Sequence, residues 1–237
     1  VSTEQARVGR DPSHTRNAVA RLLPDIRTAK PSARLIVAHD PSDPRCETIR
    51  ALRTELMLRR EPAATADVIA LLSPGSADGR SQLAAELAIA FAQLGRPTLL
   101  VDADLRHPSQ HLLFDADNNS GLSQAIEFGG MPYLHPVDGL RYLSLLTTGP
   151  TPSNPLELLL HSRFANLVDG WREAYDFVVI DTAPVARYSD GLAIASLVRS
   201  VLVVSRGRHT PYRDNREMLR RLAAIRAQVV GAVINHF

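Results

Sequence analysis

Val68-Ile69-Ala70-Leu71-Leu72-Ser73-Pro74-Gly75-Ser76-Ala77-Asp78-Gly79-Arg80-Ser81-Gln82 is the stretch on which the fold turns. Its first five residues are a continuous apolar run of strand length, the pattern of a strand covered on both faces. From Gln82 to Leu94 the apolar residues Leu83, Leu87, Ala90, Phe91 and Leu94 recur at helical spacing, and Gly95 supplies a stop. The ten residues between Leu72 and Leu83 therefore lie where a strand hands over to a helix, beyond a carboxyl end, where open parallel sheets bind ligands. A loop that wraps a phosphate there needs small residues, a cation for the outer phosphate oxygens and a hydroxyl on the first helical turn. Gly79 and Ser81 meet those needs, Arg80 stands where a lysine is expected, and Gly75 is one residue away from the usual first glycine. Taken alone, the segment is a weak signal and reads better as a strand-to-helix turn with a capping serine.

The same alternation continues outward. Thr98–Asp102, Phe177–Asp181, Val201–Ser205 and Val229–Ile234 read as strands, Tyr142–Leu146 as a weaker one, and Leu35–Ala38 as a short edge strand. Helices are expected over Arg45–Arg59, Pro155–Trp171 and Tyr212–Ala227. Strands alternating with helices imply an α/β fold: a mostly parallel sheet with helices on both faces, in three layers. The polar stretch 1–33, with scattered Pro and Arg and one apolar run at Ala18–Leu23, is expected to be a flexible arm, and 34–237 the domain.

Two further strand ends carry carboxylates. Asp102 and Asp104 close the strand Thr98–Asp102; spaced by two, they project to one side and suit a hydrated Mg²⁺. Asp181 closes Phe177-Val178-Val179-Ile180, the pattern of an acid that orients Mg²⁺ or its water. Each acid alone is also an ordinary turn residue.

Composition narrows the field. The 237 residues carry a formal charge of only +2, which gives no reason to expect nucleic acid as a partner. One cysteine, Cys46, excludes an intrachain disulfide and agrees with a reducing compartment. No run reaches the roughly 20 apolar residues of a membrane span, and Val1–Gln5 shows no signal-peptide pattern, so a cytoplasmic location is expected. The eight histidines show no metal-ligand spacing.

In combination these segments resemble the bacterial tyrosine kinases of capsule and exopolysaccharide export, P-loop relatives of the cell-division and plasmid-partition ATPases. The phosphate loop, Leu99–Arg106 and Tyr175–Pro184 occur in the family's order, and Gly121-Leu122-Ser123, Gly149–Leu159 and the closing Gly231–Asn235 are similar to further family segments. The resemblance implies that ATP or ADP is held by Ser76, Ala77, Asp78, Gly79, Arg80, Ser81, Gln82 and Asn235. It implies Mg²⁺ at Ser81, Asp104 and Asp181, with Asp102, Asp104 and Arg80 in catalysis and Asp102 taking the tyrosine proton. Glu47, Arg50 and Arg53 fit the family's Glu-x-x-Arg-x-x-Arg segment, which builds homo-oligomeric rings; by spacing alone they are a solvated helix face with an i,i+3 ion pair. The partner implied is the cytoplasmic tail of a membrane chain-length regulator, a polysaccharide co-polymerase, which would hold the chain at the inner membrane.

Four loop positions depart from the family: Arg80 for lysine, Gln82 for threonine, Ala77 for glycine and Ser76 for proline. Arginine keeps the charge but is forked and planar, so it does not replace a lysine point charge. Ala77 adds a methyl group where the backbone needs positive φ or close phosphate approach. The family's tyrosine-rich tail has no counterpart before Phe237. Three functions stay open: an impaired ATP-dependent tyrosine autokinase, a non-catalytic pseudokinase scaffold, and a partition-type positioning ATPase.

Overall fold

The computed structural model describes residues 28–59 and 67–236. Most of the expected arm, with its apolar run at 18–23, and Phe237 lie outside the described residues. Residues 28–33, assigned to that arm, run along the domain instead: Ala29 is buried and bridges Val137, and the amides of Lys30 and Ser32 donate to the carbonyls of Phe114 and Leu113.

Seven strands form one sheet: β1 (Asp67–Leu72), β2 (Thr98–Asp102), β3 (His135–Val137), β4 (Leu140–Leu146), β5 (Phe177–Asp181), β6 (Ser200–Arg206) and β7 (Gln228–Asn235). Their spatial order is β3-β4-β2-β5-β1-β6-β7, parallel throughout except for the β3–β4 pair. The central strands bury both faces, which is why they read as unbroken apolar runs. Val68, Ala70 and Leu72 of β1 face one core layer, while Ile69 and Leu71 face the other. The expected three-layer α/β arrangement is therefore present. On one side the helix Arg80–Ala92 is buried almost all round, and Phe91 stacks on Phe177 of β5 at 4.0 Å between ring centroids.

The adjacency of β1, β5 and β2 places the site. Asp102 pairs in register with Asp181, and Leu71 pairs with Asp181 from the other side. The loop after β1 and the acids ending β5 and β2 thus emerge side by side at the switch point of the sheet, where the connection from β1 to β2 and that from β5 to β6 lead to opposite sides.

Three sequence expectations change. Leu35–Ala38 forms no strand; Ile36–His39 is one helical turn, with Leu35 and Val37 buried and the Val37 carbonyl accepting from the Gln93 side chain at 2.8 Å. An apolar run this short finds no strand neighbour there and packs on a helix instead. The helix expected over Pro155–Trp171 is two helices, Pro155–Leu160 and Ser162–Ala174, because His161 adopts an extended conformation and its ring Nδ1 accepts from the Arg163 amide. The last helix stops at Ala224, and Arg226 turns left-handed, with φ 56°.

Candidate nucleotide site

The loop after β1 curls into a cleft of about 150 Å³ lined by Ser73, Gly75, Ala77, Asp78, Gly79, Arg80, Ser81 and Gln82. That volume suits phosphate groups rather than a whole nucleotide, since drug-sized ligands fill about 300–1,000 Å³. Two left-handed residues make the curl, Ala77 at φ 63° and Gly79 at φ 83°. Gly79 then caps the helix Arg80–Ala92, in which the Leu83 amide donates to the Gly79 carbonyl. The amides of Arg80, Ser81 and Gln82 precede that bond and are the orphan donors of a helix N-terminus, suited to an anion. The positive φ at Ala77 carries a conformational cost that glycine lacks. Ala77→Gly is expected to stabilise the fold by about 1 kcal/mol in chemical denaturation; a destabilised variant would contradict the left-handed assignment.

Side chains from other elements anchor the curl. Asp78 is buried; its Oδ2 accepts from the Gly75 amide at 2.9 Å and its Oδ1 from the Thr210 hydroxyl at 2.7 Å. Asn235, at the end of β7, donates from its side-chain amide to the Asp78 carbonyl at 2.7 Å. Asn235, expected among the nucleotide contacts, here holds the loop. Ser76 and Ala77 are exposed at the rim, Ser81 is half-buried, and Gln82 is exposed and hydrogen-bonded to Glu86.

Arg80 does not point out of the cleft. Its guanidinium, with the side chain 7% exposed, donates from Nε to Asp181 at 2.8 Å, from Nη2 to Asp104 at 3.1 Å and from Nη1 to the Ser73 hydroxyl at 3.0 Å. Gln110 fills in beside it: its side-chain nitrogen donates to the second Asp181 oxygen at 2.8 Å and to the Ser81 carbonyl at 2.9 Å. Asp102 is fully buried, accepting the Asp104 amide on Oδ1 and the Ser109 and Gln110 amides on Oδ2. Burial, reinforced by the neighbouring Asp181 charge, pushes the Asp102 carboxyl up to about 8. Burial also raises Asp104, against the opposing pull of the His107 amide and the Arg80 charge.

The acids thus converge as the sequence suggested, with a guanidinium between them. Magnesium takes six oxygens in near-octahedral geometry. Here the facing oxygens of Asp104 and Asp181 are already engaged by Arg80, and among the described residues no cluster of three or more acid, His or Cys side chains could hold a metal. As folded, the loop fits a phosphate and the acids do not fit Mg²⁺.

Three residues escaped the site prediction. Gln110 sits eight positions after Asp102 on a four-residue helix, and nothing in its local pattern marks a buried amide. Half-buried Arg106 and fully buried Asp190 form a bidentate pair at 2.5 and 3.1 Å, with the guanidinium stacked on Tyr188 at 4.1 Å. The only sequence signal for either was that Arg106 closes the family-like segment Leu99–Arg106. Of the three residues expected at ring contacts, Glu47 pairs with Arg50 at 3.5 Å, whereas Arg53 turns inward and donates to the Ala90 carbonyl at 2.9 Å.

No family model matches the chain. It is 35% identical over 203 residues to CapB of Staphylococcus aureus, which bears a tyrosine-protein kinase name; the match covers 84% of this chain and 88% of CapB. It is 33% identical over 218 residues to EpsB of Ralstonia nicotianae, covering 90% of this chain but only 28% of that longer protein. Among solved structures, the chimerical protein CapA2B2 superposes with TM-score 0.80 at 32% identity, covering 93% of this chain and 97% of the other. The kinase domain of Escherichia coli tyrosine kinase ETK gives 0.82 at 27% identity over 90% and 83%. The septum-site protein MinD of Pyrococcus horikoshii, at 0.62 and 16%, shares the fold over 72% of this chain and 70% of its own.

Proposed function

The chain belongs to the bacterial tyrosine-protein kinase family, and on that premise we propose that it serves capsule or exopolysaccharide assembly as a nucleotide-binding domain whose phosphate transfer to tyrosine is impaired. One observation carries this reading: the Arg80 guanidinium is bonded to Asp104 and Asp181 instead of facing the cleft. A family lysine at this position would place its charge on the outer phosphates; a buried, doubly paired guanidinium cannot reach them without breaking both pairs. Loss of one well-placed electrostatic contact in a transition state lowers a rate by about 10²–10³. Asp102 supports the same conclusion. Its raised basicity suits a proton acceptor, but its oxygens are engaged by backbone amides and its side chain is out of reach of a substrate hydroxyl.

ATP or ADP would bind with its phosphates on the amides of residues 79–82 and its nucleoside beyond the cleft. The chain would act in the cytoplasm beside the inner membrane, held by the tail of a co-polymerase. Glu47 and Arg50 would serve ring contacts from the outer face of the helix Pro44–Leu58. The burial of Asp102 also favours a second reading, a pseudokinase scaffold that keeps the ring and no transfer.

Incubation of the purified protein with the partner's tail and labelled ATP tests these readings. Label on tyrosine at a rate about 10²–10³ below that of a relative with an intact loop supports impairment. No label, with a ring still forming, selects the scaffold, and an undiminished rate contradicts both. Arg80→Lys alone is expected to leave the rate well short of the relative's, because Ser76, Ala77 and Gln82 still differ; full phosphotyrosine signal from that variant would refute this.

A further inference from the structure

We propose that Arg80 is a built-in counter-cation occupying the place of the divalent ion, so that this site handles the phosphates of a nucleoside diphosphate or triphosphate without a protein-bound metal. The idea rests on the nucleotide reading of the loop but concerns different atoms. All six carboxylate oxygens of Asp102, Asp104 and Asp181 already receive a donor. Asp102 accepts three amides, Asp104 accepts the Arg106 and His107 amides on Oδ1 and Arg80 on Oδ2, and Asp181 accepts Arg80 on Oδ1 and Gln110 on Oδ2. The guanidinium is planar and forked, so it spans acids from two strands as a point charge could not. Its third group of donors is fixed by the Ser73 hydroxyl, which in turn donates to the Gly75 carbonyl at 2.9 Å and ties the cation to the loop. A divalent ion entering between Asp104 and Asp181 would have to evict a buried arginine and then sit beside its charge. The amides of Arg80, Ser81 and Gln82, in the first turn of the helix Arg80–Ala92, take no part in these bonds and are suited to phosphate oxygens.

The test uses Mn²⁺ uptake followed by electron paramagnetic resonance, and ADP binding followed by calorimetry with Mg²⁺ or with EDTA. For the unmodified protein, Mn²⁺ uptake is expected to be at least about 100-fold weaker than for Arg80→Ala, and ADP affinity to change less than about threefold on chelation. Mn²⁺ should also raise the melting temperature of Arg80→Ala while leaving that of the unmodified protein in place. Should Arg80→Ala fail to fold, Arg80→Lys provides the comparison, since one ammonium cannot bridge both acids. Mn²⁺ uptake by the unmodified protein as tight as by either variant would overturn the proposal, as would a tenfold or greater loss of ADP affinity in EDTA. If ADP binds under neither condition, the nucleotide reading fails, and the Mn²⁺ comparison still decides whether Arg80 excludes the metal.

Discussion

Gly121→Ala is expected to destabilise the domain by about 3 kcal/mol or more, among the larger costs a single added methyl group produces. Gly121 has an extended backbone, with φ −178°, so conformational freedom is not the issue. Space is. A Cβ there would lie 2.2 Å from the Thr147 carbonyl oxygen, 2.4 Å from the Gly149 nitrogen and 2.6 Å from the Thr148 carbonyl carbon, all of them backbone atoms. The segment after β4 cannot retreat cheaply, because its carbonyls accept from the Leu122 amide at 2.9 Å and the Ser123 amide at 2.8 Å. Thr148 also donates its hydroxyl to the Asp102 carbonyl at 2.8 Å, so a shift here is passed to the acid cluster. For a domain of this size the melting temperature should fall by about 6–12 °C. A drop below about 2 °C in calorimetry would show that the two segments are not in contact.

Arg80→Ala is the second large effect. Removing the cation leaves Asp104 and Asp181 buried without their partner, and breaking a buried pair from one side costs about 3–5 kcal/mol. Asp181 is fully buried and Asp104 nearly so, so water cannot replace the guanidinium without opening the site. The loss should be seen in urea unfolding at neutral pH with divalent ions chelated. Most of it should return when Asp104→Asn and Asp181→Asn are added, because the uncompensated charges, rather than the missing side chain, account for most of the cost. A single variant within about 1 kcal/mol of the parent would mean that the guanidinium is not embedded among the acids.

These two sites mark the boundary of what the sequence could tell. The sheet was legible because β1, β2, β5 and β6 are doubly covered and leave an apolar signature, and because an acid ends β2 and β5. The glycine that the family places at Ala77 left positive φ and close phosphate approach both open, and the backbone there has φ 63°. The helix Asp190–Val198 was not read as an element. It lies among apolar neighbours and offers no polar face, so its periodicity is faint. β3 is three residues long with a proline inside, too short and too broken for any pattern. The direction of Arg80 was hidden for another reason. The loop's spacing locates its Cα, but where the guanidinium goes depends on two carboxylates 24 and 101 positions away. Gln110 was hidden likewise, since a buried amide becomes visible only once its partners are placed.

Backbone amide shifts in a nitrogen-15 spectrum during ADP titration test most directly whether the curl after Leu72 is a phosphate cradle. The largest changes are expected at Gly79, Arg80, Ser81 and Gln82, with smaller ones at Thr210 and Asn235, which anchor the loop through Asp78. A titration that leaves those four amides unmoved while shifts appear elsewhere, or nowhere, would contradict the account.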